Sequence, residues 1–265
     1  DIITEANYNK GQKFERAIVD QLEAKGMGGV GNLSKRGADA VITLHGENIP
    51  SKKKKYKLSI KAHNAAAGQL QYQHDPKKGG WHYATKEGEG QHLVNALNAL
   101  GGTHAMNEKY GNPRSAEKQG QVEHIRKHHG SAGELHHDLD TALGGDDHPE
   151  HTAYGIAHML WHGSNHDDLI HIQGKGTYSL HPKVAAETGI DYIGDHIDHT
   201  RVDRALNLRH RVKTHSSEKP GKPATRSLTA QLTFDHNALS PSNINLEHHG
   251  LNSDVHVEDE HRTDD

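Results

Sequence analysis

Between residues 9 and 61 the apolar residues stop recurring every fourth position and start recurring every second one, which dictates a helix followed by strands. Phe14, Ile18 and Leu22 are four apart, so they line one face of a helix. The spacing predicts a helix over 9–25, stopped by Gly26 and followed by a loop with Gly28, Gly29 and Gly31. Further on, Tyr56, Leu58 and Ile60 alternate with Lys57, Ser59 and Lys61, which predicts a strand over 56–61. Asp39 to Leu44 reads as its neighbour, with Val41, Ile42 and Leu44 as apolar strand formers before a turn at His45-Gly46. The intervening 49–55, with lysines from Lys52 to Lys55, reads as a polar loop.

Chemistry-bearing residues sit at particular places on this frame. Glu15 stands beside Phe14, at the edge of the buried stripe, where its carboxylate can face a cleft. Asp39 opens the first strand. Alternation places Ser59 and Lys61 on one face of the second strand, opposite Leu58 and Ile60. An acid on a helix, an acid at a strand start and a lysine at the end of the next strand suit metal-dependent phosphodiester hydrolysis. Carboxylates bind the ion, the ion polarises the phosphate, and the lysine positions water or stabilises developing charge.

Over roughly residues 9 to 75 this order resembles the PD-(D/E)XK nuclease superfamily, the fold of many type II restriction endonucleases and repair nucleases. Asp39 matches its first acid, Lys61 its lysine and Glu15 the acid of the preceding helix. Ser59 departs from the pattern, which usually carries Asp or Glu there. Some members with Ser at that place take the missing acid from a following helix, where this chain has Gln69 and Gln71. The resemblance implies a DNA endonuclease dependent on Mg2+ or Mn2+. Glu15 and Asp39 would hold the metal, Lys61 would orient the attacking water, and Ser59 and Gln69 would be secondary site residues. It also implies double-stranded DNA as substrate and a homodimer, because two active sites are needed to cut both strands together.

The rest of the chain extends this reading to an α/β fold, with a central mixed sheet flanked by helices and a β-rich C-terminal extension. The alanine-rich 62–72 is expected to begin a helix or turn. Leu93, Leu97 and Leu100 predict a helix over 91–100, and Ile156, Met159 and Leu160 another over 151–162. Residues 168–180 resemble two short strands joined at Gln173-Gly174-Lys175-Gly176, and 209–216 and 227–234 read as strands around the loop 218–223. The expected organisation is a core over 1–165 with a His-rich insertion, a β-rich extension of the same domain over 166–246, and an acidic tail without fixed structure over 247–265.

Composition narrows the alternatives. A net charge of −4 means that any nucleic-acid surface must be a local basic cluster. Arg209, Arg211 and Lys213 alternate on a predicted strand and share one face, from which they could reach phosphates or base edges. The absence of Cys excludes disulfides and thiolate ligands. No run approaches the roughly 20 apolar residues of a membrane span, no signal-peptide pattern is visible, and a cytoplasmic location is expected. The 27 histidines read as compositional bias, because they form no repeating array. His158 and His162 are a competent metal pair on the 151–162 helix, but Met159-Leu160-Trp161 lacks the glutamate of the zinc-protease motif. Two rival readings remain: a non-enzymatic, His-rich viral or structural assembly protein, and a transition-metal-binding protein.

Overall fold

The computed structural model describes residues 10–26, 28–30, 38–44, 54–62, 66–85, 90–99, 101–129, 134–138, 153–215 and 225–242. The fold is α/β. The chain divides into two compact units that the sequence interleaves. The first takes 1–65, 166–198 and 239–265, and the second takes 66–165 and 199–238. The part expected as an insertion in the core therefore joins 199–238 to form a unit with its own sheet. The tail after 242 lies outside the described residues.

The first unit is built as the period change dictates. Helix α1 (Lys10–Ala24) ends at Gly26, whose φ of +64° suits a residue without a side chain. Its stripe of Phe14, Ile18 and Leu22 is buried against Ala40, Ile42, Leu44, Tyr56, Leu58 and Ile60. Burying each large apolar side chain contributes about 1.5–3 kcal/mol, so this stripe fixes the helix on the sheet. The sheet runs β1 (Gly28–Val30), β2 (Ala40–Leu44), β3 (Lys54–Lys61), β7 (Leu169–Ile172), β8 (Gly176–Ser179). It is mixed: β2 pairs antiparallel with β3, whereas β7 pairs parallel with it, Leu58 facing Leu169 and Lys61 facing Ile172. The β7–β8 hairpin turns where 173–176 was expected to, with Lys175 N–H bonding the Ile172 carbonyl. Helix α6 (Pro182–Thr188) adds Val184 to the same core.

The second unit carries a five-stranded antiparallel sheet ordered β5 (Gly80–Ala84), β4 (Ala66–Asp75), β10 (Thr225–Phe234), β9 (Leu206–His215), β6 (Glu134–Asp138). Its helices are α2 (Gln91–Ala99), α3 (Gly102–Tyr110), α4 (Lys118–His129) and α5 (Ala153–Gly163). The expected helices at 91–100 and 151–162 are thus present, as are the strands at 209–216 and 227–234. The alanine-rich 62–72 is not helical where it is described: from Ala66 it is strand β4. Leu70, Tyr72 and His74 are buried at alternate positions, and β5 and β10 pair on either side. That tertiary pairing overrides the local preference of alanine for helix.

One sheet face meets the helices. Tyr72 stacks on Tyr110 of α3, and the α4 side chain of Gln121 bonds both the N–H and the carbonyl of His74. Buried His210 uses both ring nitrogens, on the hydroxyls of Tyr83 and Tyr110. At the other end β4 approaches α5 very closely. A Cβ on Gly68 would lie 2.8 Å from the Gly163 Cα and 3.1 Å from a Leu93 methyl. Gly68→Ala should therefore destabilise the protein by about 2–3 kcal/mol, through a backbone contact that cannot relax cheaply. Urea unfolding checks this, and a change within about 0.5 kcal/mol would contradict the close packing.

Among the described residues, no helix is long and apolar enough to cross a membrane.

Candidate active site

The first unit gathers Glu15, Asp39, Ser59 and Lys61 around the start of β2 and the end of β3. Antiparallel pairing of Ala40 with Leu58 carries Asp39, one residue earlier, beside the last turn of the β3 pleat. Its Oδ2 accepts the backbone N–H of Ile60 at 2.6 Å and the Ser59 hydroxyl at 3.4 Å, and the Lys61 ammonium lies 3.6 Å away. Ser59 acts here as a donor to Asp39. Glu15 reaches the same carboxylate from α1 and shares a hydrogen bond with it. Burial, and then the charge of Asp39, push the Glu15 carboxyl up to about 8 against the pull of Lys61.

A third acid joins them. Asp167 stands just before β7 and is only 4% exposed. Its carboxyl is pushed up to about 7, by burial first and then by the charge of Asp39, with Lys61 and Lys57 opposing. Its neighbour Asp168 does different work: its side chain accepts the Lys57 N–H at 2.8 Å and its N–H bonds the Lys57 carbonyl, which pins β7 to β3. The sequence shows an acidic pair before a predicted strand but no sign that this strand lies parallel to β3.

Gln69 is placed elsewhere. It stands on β4 of the second unit, where its side-chain oxygen accepts the amide of Gln231 at 3.2 Å. It lies in a strand and not in a helix that follows β3, so nothing in its surroundings makes it the stand-in for the missing acid.

The donor set suits a hard divalent ion. All three candidate ligands, Glu15, Asp39 and Asp167, offer carboxylate oxygen, which Mg2+ and Mn2+ prefer. Burial, and then the charge of Asp39, raise two of the three carboxyls toward neutral pH. A bound cation would relieve that repulsion. Among the described residues no three carboxylates bring their oxygens within 4.8 Å of one another.

The second unit presents a polar surface of its own. Register puts Arg209, Gln231 and Gln69 in one row across β9, β10 and β4, and Arg211, Thr229 and Gln71 in the next. Lys213 follows on the same face, opposite Ser227. This face lies opposite Tyr72 and His210, which meet the helices, and Arg211 donates to the Gln231 oxygen at 3.3 Å. The shared face expected of Arg209, Arg211 and Lys213 is present. Lys52 and Lys53 of the basic loop lie outside the described residues.

Not all histidines are surface decoration. His171 is fully buried on β7, stacked on Phe14, with Nδ1 on the Thr177 hydroxyl at 2.8 Å. Burial holds its pKa down at about 4. His74, His210 and His236 are buried as well.

Comparison with known proteins adds no relative: no family model, no curated protein and no solved structure matches this chain.

Proposed function

We propose that the chain is a Mg2+-dependent DNA endonuclease of the PD-(D/E)XK type. The observation that carries this reading is the meeting of Glu15, Asp39 and Lys61, with buried Asp167, at adjoining strand ends of one mixed sheet. Structural ion pairs are normally balanced. Here three acids crowd against one near lysine, and two of them are pushed toward neutral pH, which is typical of a functional site. Asp39 and Glu15 would hold the ion, with Asp167 completing its surroundings. When bound, the ion would polarise the scissile phosphate and acidify a water. The Lys61 ammonium would place that water and offset charge on the phosphoryl oxygens. Ser59, by donating to Asp39, would orient the carboxylate. A homodimer would supply the second site needed for a double-strand cut.

The test is incubation of purified protein with supercoiled plasmid in Mg2+, in Mn2+ and in EDTA. Nicked or linear product with either ion and none in EDTA is the expected result. Intact plasmid under all three conditions would contradict the proposal.

The arginine face of the second unit supports DNA as the substrate. Changing Arg209, Arg211 and Lys213 together to Gln should weaken binding across sequences. It should also lower the slope of log affinity against log salt by up to about 3, because each lost phosphate contact removes about 0.9. Fluorescence anisotropy at several salt concentrations reads this slope, and an unchanged slope would mean that DNA does not lie on this face.

A further inference from the structure

A second, chemically different group of metal-binding side chains lies in the second unit. His158 and His162 are one turn apart on α5, and their Nε2 atoms approach to 2.9 Å. Two imidazoles bonded to one tetrahedral ion at about 2.0–2.1 Å would have nitrogens about 3.3 Å apart, so the pair is within a few tenths of an ångström of ligand geometry. His92, near the start of α2, stacks on His162 with ring centroids 6.2 Å apart, and a ring nitrogen of each lies within 4.8 Å of the other. His92 and His158 are exposed, so an ion has a path from solvent. The two helices pack directly on each other.

We propose that His158 and His162 bind a transition-metal ion of the Zn2+ or Cu2+ kind, and that exposed His92 turns in as a third ligand and so clamps α2 to α5. Imidazole nitrogen selects these ions over Mg2+, whereas the carboxylates of the first unit select the reverse. The chain then carries two metal sites of opposite preference, and this one does not depend on nuclease chemistry. In the metal-free state one Nε2 donates its proton to the other. When the ion binds, the donor ring carries its proton on Nδ1 instead, and the ion takes both Nε2 lone pairs.

The 27 histidines of the chain make bulk metal uptake uninformative, so the readout must be local. Trp161 provides it, with ring centroids 5.6 Å from His158 and 5.4 Å from His162. Cu2+ bound between these rings should quench its fluorescence. The signal is the difference between wild type and Trp161→Phe, which removes the contribution of buried Trp81. The quench should saturate, and Zn2+ should reverse it. His158→Gln or His162→Gln should each raise the Cu2+ midpoint about tenfold or more, and His92→Gln about threefold or more. Zn2+ should raise the Tm of the wild type by more than that of any of the three variants. His158 is exposed, so its replacement leaves the fold intact. An unchanged midpoint in the His158→Gln/His162→Gln double variant would overturn the site. An unchanged midpoint in His92→Gln would overturn the clamp between the helices.

Discussion

Asp39→Asn should abolish metal-dependent plasmid cleavage, by about a thousandfold or more, and leave the fold in place. Asp39 is the hub of the cluster. It accepts from Ile60 and Ser59, lies 3.6 Å from the Lys61 ammonium, and its charge raises the carboxyls of both Glu15 and Asp167. The Asn carbonyl can still take the Ile60 N–H, so the strand contact survives. What is lost is the charge that a divalent ion needs, and losing one group from a preorganised electrostatic site commonly costs a hundred- to a thousandfold. Single-turnover cleavage compared with the wild type measures the loss, with circular dichroism reporting the fold. A variant that is folded and cleaves within about tenfold of wild type would remove Asp39 from the chemistry.

The second large effect is on stability as pH rises without metal. Glu15 and Asp167 have folded-state pKa values of about 8 and about 7, above the 4.5 and 3.8 of ordinary carboxyls. A raised folded pKa means that the native state holds protons the unfolded chain has released. The stabilisation is then full below the unfolded values and is lost as pH rises through the folded ones. His171 acts in the opposite sense. Its pKa is lowered to about 4 from 6.5, so it weakens the fold as pH falls through about 6.5. The useful window is therefore pH 6.5 to 8, where the two carboxyls outweigh His171. Across it the metal-free protein should lose roughly 1–2 kcal/mol, about 0.8 from Asp167 and the rest from Glu15, whose larger share is reduced because it is more exposed and better screened. Asp167→Asn should make the curve shallower in this window and the metal-free protein more stable at pH 8, while lowering cleavage. Urea unfolding at four pH values checks both halves. A wild-type curve that is flat or rising from pH 6.5 to 8 would contradict the burial of these acids.

Most of the first unit was legible because its signals are local. The Phe14, Ile18, Leu22 stripe, the Tyr56, Leu58, Ile60 alternation and the turn at 173–176 each need only a dozen residues of chain. With them came Glu15, Asp39, Ser59 and Lys61. What was missed depends on partners far along the chain. Asp167 joins the site only because β7 lies parallel to β3, more than a hundred residues earlier. Its acidic pair was visible among many His and Asp clusters, with nothing local to single it out. Strand β4 was hidden by its opening alanines, and only its position between β5 and β10 makes it a strand. Gln69 goes with it, standing in that strand and not in a helix after β3. The interleaving of the two units, with 66–165 and 199–238 closing one sheet, has no local signature at all.

The most direct measurement is calorimetric titration of the protein with Mg2+ at pH 7, in two buffers of different ionisation enthalpy. Binding should release about one or two protons per ion, because Glu15 and Asp167 surrender theirs as the cation enters. In Asp39→Asn both the binding and the release should disappear. Binding without proton release, or release that persists in Asp39→Asn, would show that Mg2+ goes elsewhere and that the crowded acids are not its site.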